Sequence, residues 1–173
     1  MKVFKLICLA TFSLIVVVAC GGKDEKKKKG FSYEKNTSNE EKSNESTDDN
    51  INEVVITSND LMKFNKSEIK VKSGKKVKIT LRHIGKLDIN VMGHNLVILK
   101  QGVSLTEFAA KAATERDNKY IPKDTQDVIA HTDLIGGGQV TSIEFDAPAA
   151  GSYDFLCSFP GHSGLMKGKF IVE

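Results

Sequence analysis

Ser152-Tyr-Asp-Phe-Leu-Cys157-Ser-Phe-Pro-Gly-His162-Ser-Gly-Leu-Met166-Lys-Gly-Lys169-Phe-Ile-Val172 is the stretch on which the reading of this chain turns. Two strand candidates, 152–157 and 169–172, flank a loop carrying a thiol, an imidazole and a thioether. Cys157 ends the first strand, so its sulfur can point out from the rim of a sheet. After four intervening residues His162 can turn back to the same point, with Pro160 and Gly161 shaping the path. Three more residues separate His162 from Met166, which can sit above that point. Such donors favour a soft or borderline metal, because Cu(I) prefers soft ligands and Cu(II) accepts imidazole. Zinc is the rival, but structural zinc takes thiolates and imidazoles, not a thioether. A second segment, Met92-Gly93-His94-Asn95, offers the missing imidazole. Two imidazoles and a thiolate with a weak axial thioether are the donor set of an electron-transfer copper centre.

Outward from that loop, the chain repeats one pattern. Glu53–Thr57, Glu68–Lys72 and Lys76–Arg82 alternate polar and apolar residues with the period of half-buried strands. Further strand candidates are 95–100, 127–131 and 140–146. Gly and Pro fall between them, at Gly74, Gly136-Gly137-Gly138 and Pro148–Gly151. Eight short strands with turns between them make an all-β sandwich. Residues 104–114 break the pattern. They are rich in helix formers, with Ser104 as N-cap and Glu107 three residues on. This reads as a helical flap inserted between strands and packed through Leu105 and Phe108.

The N-terminal third differs in kind. Residues 1–19 carry Lys2 and Lys5 ahead of an apolar run from Leu6 to Ala19, too short for a permanent membrane span. They read as a secretory signal. The run ends Val17-Val18-Ala19-Cys20-Gly21, which resembles a bacterial lipobox and implies cleavage before a lipidated Cys20. Ordinary cleavage with a free Cys20, or an uncleaved anchor, is the alternative. Residues 20–50 are Lys, Asp, Glu, Asn, Ser and Thr with almost nothing apolar, which cannot offset the entropy of ordering. They read as a leash about 30 residues long, spanning roughly 30 Å as a coil. Lys23-Asp24-Glu25 also resembles a surface-export signal of some lipoproteins. Residues 51–173 form the folded domain. Of three cysteines, Cys8 leaves with the signal and Cys20 is acylated, so Cys157 has no disulfide partner. The net charge is +3, with no basic stripe interleaved with aromatics, so nucleic acid is not the expected partner.

Several separated motifs stand in one order: Asn59-Asp-Leu-Met-Lys-Phe-Asn65, Asn90-Val-Met-Gly-His-Asn95, Val128-Ile-Ala-His-Thr132, Leu134-Ile-Gly136 and Cys157–Gly168. Through them residues 51–173 resemble the cupredoxins, and the azurins among them. The resemblance implies an eight-stranded Greek-key sandwich holding one type 1 copper ion. It assigns His94, Cys157 and His162 to the equatorial plane, Met166 to an axial place, and the Gly93 carbonyl to the opposite axis as a very weak ligand. It makes Asn95 the tie between the His94 segment and the Cys157 loop, and aims the Phe159 backbone N–H at the thiolate. It implies an electron exit at the edge of His162, within an apolar patch of Met62, Leu87, Met92, Phe159 and Gly164. Core packing is the blander role for Met62 and Met92. The counterpart of His83 is a proton switch in that family. A buried, non-titrating His83 is the other reading, and Ile84 stands where the family often has proline. The family's disulfide and its core Trp have no counterparts here, and Leu96 takes the Trp position. The flap, about residues 100–122, matches poorly.

The function expected is that of a membrane-anchored blue copper protein, not an enzyme. It would pass single electrons in a bacterial cell envelope, anchored through Cys20 and facing the periplasm. By the same resemblance its partners would be c-type cytochromes, a terminal oxidase or a nitrite reductase. A copper carrier or buffer would use similar donors but exchange the metal readily. A Cys157–His162 hydrolase would need an orienting third group and an oxyanion hole, and the sequence offers neither.

Overall fold

The structure, a computed structural model, describes residues 50–173. The signal, Cys20 and leash read from the sequence lie outside the described residues. Among the described residues nine strands form: β1 (Ile51–Asn59), β2 (Lys63–Phe64), β3 (Glu68–Val71), β4 (Lys76–His83), β5 (Val97–Leu99), β6 (Val128–His131), β7 (Val140–Asp146), β8 (Gly151–Leu156) and β9 (Lys167–Val172). Eight of them are the strands expected from alternation. The ninth, β2, is two residues long and folds back on β1, pairing Phe64 with Ser58. A second unexpected element is α1 (Ile89–Met92), a single turn whose N-cap Asp88 accepts from Asn90 N.

The strands make two sheets, ordered β2-β1-β4-β7 and β3-β9-β8-β5-β6. β1 runs parallel to β4, and β3 parallel to β9, while the remaining pairs are antiparallel. Those two crossovers give the Greek-key sandwich. Along β4 the side chains of Val77, Ile79, Leu81 and His83 point inward, while Lys76 and Arg82 face water. β8 sends Tyr153 and Phe155 into the same core, where they meet Phe170 of β9 and Ile56 of β1. Leu96 is fully buried there, occupying the place expected of it.

β5 is buried on both faces. Ile98 belongs to the core between the sheets, but Val97 and Leu99 face a second cluster beneath α2 (Leu105–Ala112). Ser104 Oγ accepts from Glu107 N at 3.4 Å and caps α2 as its sequence implies. Phe108 and Ala112 are buried under the flap, and Leu105 packs at its margin. A third cluster of Tyr120, Cys157, Phe159 and Met166 lies at one pole. β4 ends at that pole, β8 enters it, and both β5 and β9 leave it. Among the described residues the only cysteine is Cys157, so no disulfide braces the fold there.

Candidate metal centre

The loop between β8 and β9 is closed by its own backbone. Cys157 N donates to Met166 O at 2.9 Å, bringing the two ends of the loop together. Inside it, His162 N donates to Phe159 O at 3.0 Å, while Leu165 N and Met166 N both donate to His162 O. Two turns share one residue, so His162 is fixed by its own carbonyl as well as by its amide. Cys157, His162 and Met166 are all buried, and His162 keeps 4 % of its surface.

His94 arrives from the segment ahead of β5, the strand that pairs with β8. It sits just before β5 in an isolated bridge, exchanging two backbone bonds of 2.9 Å with Ile135. Its imidazole is fully buried, stacks on His83 with centroids 4.3 Å apart and planes 5° from parallel, and meets the His162 ring edge-on at 5.1 Å. Cys157 Sγ lies 3.8 Å from His162 Nδ1 and 3.9 Å from Gly93 O, both long even for sulfur hydrogen bonds. The four sequence-assigned side chains and the Gly93 carbonyl therefore come to one pole of the sandwich.

Their chemistry fits a soft metal. Both ring nitrogens of His94 are buried with no hydrogen-bond partner, a costly state that native structures rarely leave unexplained. Burial, then the neighbouring His83 and His162, lowers the His94 pKa to about 3, against a smaller pull from Asp60. Burial and His83 also lower His162. Both imidazoles are thus held neutral, as ligands must be. Burial pushes the Cys157 thiol up to about 12, against the backbone N–H groups of Asn95 and Phe159, which pull it down. A thiolate there needs a cation beside it.

The neighbouring residues hold these donors in register. Ser158 N donates to Asn95 Oδ1 at 2.9 Å, and Asn95 Nδ2 donates to Ser158 Oγ at 2.8 Å. Ser158 Oγ donates onward to Tyr120 O at 2.7 Å. The tie expected of Asn95 therefore has a third member in the flap, and neither Ser158 nor Tyr120 was expected from the sequence. Tyr120 also packs edge-on against Phe159 at 5.1 Å, and Phe159 meets His162 at 4.6 Å.

His83 is buried, with both ring nitrogens engaged. Gly85 N donates to Nδ1 at 3.0 Å, so the proton sits on Nε2, which donates to Met92 O at 3.0 Å. Asp60 Oδ1 lies 3.8 Å from Nε2. The Asp60 carboxylate accepts from Lys86 N and Leu87 N, and those bonds hold its pKa below the usual range. Ile84 N donates to Ser58 O at 2.8 Å, a bond that proline could not make.

Of the residues expected in the apolar patch, Leu87 and Gly164 are exposed, Met62 and Met92 are half-buried, and Phe159 keeps 9 % of its surface. Met62 packs on the cluster around Cys157 and Met166, so it has a core role as well. Three large exposed apolar residues were missed: Leu61, Val91 and Leu165, which flank Met62, Met92 and Met166 in the chain. The signal was present, since Leu165 lies in the loop between β8 and β9 with no strand period to bury it.

Comparison with known proteins agrees with the geometry. The family model of copper binding proteins, plastocyanin/azurin family, matches residues 51–173. Azurin-1 of Alcaligenes xylosoxydans xylosoxydans is 50 % identical over 119 residues, covering 66 % of this chain and 92 % of that protein. Outer membrane protein H.8 of Neisseria gonorrhoeae is 43 % identical over 122 residues, covering 69 % of this chain and 66 % of that one. Among solved structures, the azurin Az-iso2 of Methylomonas sp. strain J superposes with a TM-score of 0.64 at 32 % identity, over 70 % of this chain and 97 % of its own. A copper-protein signature across the whole sandwich, and half its residues shared with an azurin, place this chain in the plastocyanin/azurin family of electron carriers, whose azurin members hold a single type 1 copper ion.

Proposed function

We propose that this chain is a lipid-anchored blue copper protein that passes single electrons between redox partners in a bacterial cell envelope. The observation that carries the reading is His94: a fully buried imidazole with both nitrogens unpaired, beside a buried thiol and a second neutral imidazole. His94, Cys157 and His162 would hold the copper, with Met166 and the Gly93 carbonyl as weak outer ligands. Copper bound there supplies a one-electron couple. The chain's own part is to keep the donors still. The ligand loop is closed at both ends by backbone bonds, and Asn95 fastens it to the His94 segment. Little need move when an electron arrives or leaves.

A proton switch at His83 would need the Gly85 N–H to turn away from Nδ1, because that nitrogen is an acceptor in the observed arrangement. The exit for the electron would be the edge of His162, under a small apolar patch suited to brief contacts. Exposed Leu87, Leu165 and Val91 support that patch. Redox proteins such as c-type cytochromes, a terminal oxidase or a nitrite reductase are the partners the reading implies. The anchor rests on the lipobox-like Val17–Cys20 sequence and on a relative named as an outer membrane protein. The domain would then be residues 51–173, with 1–19 removed and 20–50 as the leash. A readily exchanging copper carrier is the second reading, but the closed ligand loop favours retention of the ion.

Three outcomes are expected. Copper uptake near pH 7 should release about one proton, from Cys157 alone, because both imidazoles are already neutral. Calorimetry in buffers of different ionisation enthalpy reads that number; release of two or more, or of none, contradicts the assigned donor set. Leu165→Lys should slow electron self-exchange about tenfold or more at low salt, by like-charge repulsion, with the visible spectrum unchanged. An unaltered rate would place the exit elsewhere. Cys20→Ser should move the protein from the membrane fraction to the soluble one, and equal partitioning of both forms would remove the lipid anchor from the account.

A further inference from the structure

The turn between the His94 bridge and β7 touches both members of the stacked histidine pair. At its start Ile135 exchanges two backbone bonds of 2.9 Å with His94. At its end His83 N donates to Gln139 O at 2.9 Å, and Gly138 N donates to His83 O at 2.9 Å. Between them Gly137 N donates to Leu87 O at 2.8 Å. Residues 135–139 therefore grip His94 at one end and His83 at the other. The separation of those two ends fixes how far one imidazole is offset from the other.

One side chain sets that separation. Gln139 Oε1 accepts from Gly136 N at 2.7 Å, while Gln139 N donates to Gly136 O at 3.1 Å. The two bonds close the turn reciprocally, much as a capping box closes a helix end. The turn also lies hard against the segment leading to α1. A Cβ on Gly136 would stand 2.8 Å from Ile89 N, and one on Gly137 would stand 2.5 Å from Lys86 C. Gly136 is buried, so its amide hydrogen has no ready solvent substitute if the carboxamide leaves. Gln139 itself is exposed and its side chain is free to be changed without opening the core.

We propose that Gln139 is a positioning residue for the metal centre: by holding the Gly136 amide it fixes the turn that registers the His94 imidazole against His83. The proposal rests on the reading of His94 as a copper ligand. It acts through backbone only, so it predicts an effect of a residue that touches no ligand.

The test compares the native full chain with Gln139→Ala, which removes the acceptor, and Gln139→Glu, which keeps one. In the metal-free protein, NMR reads exchange of the Gly136 amide and the ring-proton shifts of His94 and His83, which report their stacking. Gln139→Ala should speed Gly136 exchange by about tenfold, the worth of one hydrogen bond, and should displace the His94 ring shifts. Gln139→Glu should restore both. In the copper-loaded protein the alanine variant should show a displaced reduction potential and altered copper hyperfine splitting, again restored by glutamate. Unchanged His94 shifts and potential in Gln139→Ala would overturn the proposal, even with faster Gly136 exchange. Should Gln139→Ala fail to fold, native-like shifts and potential in Gln139→Glu and in Gln139→Ser, whose shorter side chain cannot reach Gly136, would overturn it equally. Displaced ring shifts without any copper binding would instead sustain the positioning role and overturn the copper assignment.

Discussion

The pair of hydrogen bonds between Asn95 and Ser158 is the constraint on which the rest of this site depends. One candidate donor segment precedes β5, and the other follows β8. Pairing of Val97 with Leu156 sets these two segments side by side. The Asn95 carboxamide spans them in both directions, donating and accepting, and both Asn95 and Ser158 are buried. Ser158 then reaches the Tyr120 carbonyl, so the flap is fastened to the same point. Lose the carboxamide and the loop still closes on itself through Cys157 and Met166 and still starts beside the His94 segment through the β5–β8 pairing, but the side-chain tie between them is gone.

That rigidity has a cost visible in the donors. His94 carries two unpaired buried nitrogens, each worth about 1–3 kcal/mol of lost solvation, and Cys157 holds its proton far above the usual thiol range. The core between the sheets is apolar: Phe155, Phe170, Ile56 and Leu96 are buried in one cluster, and no disulfide braces it among the described residues. The result is a site preorganised for a soft cation and neutral imidazoles. Such a site suits a carrier that must change charge without changing shape.

Much of this was legible in the residues themselves. The alternation in Lys76–Arg82 specified a half-buried strand, and the structure has one over Lys76–His83. Ser104 and Glu107 specified the start of the flap helix, and the cap is made. Candidate donors could be singled out because thiol, imidazole and thioether carry their chemistry in the side chain. What could not be read were features made by backbone partners. β2 is two residues whose strand character comes only from pairing with Ser58 and Asn59. α1 exists because Asp88 caps a short Ile/Val-rich turn that alone would suggest a strand. Ser158 bonds a carbonyl 38 residues away, and no side-chain pattern announces that. The stack of His83 on His94 joins residues that the sequence treats as unrelated.

The most direct test is spectroscopic. Full-length protein in detergent, loaded with Cu(II), should turn intensely blue from sulfur-to-copper charge transfer and show narrow copper hyperfine splitting, and Cys157→Ser should abolish both. A colourless copper complex, or a blue band that survives loss of the Cys157 sulfur, would contradict the account.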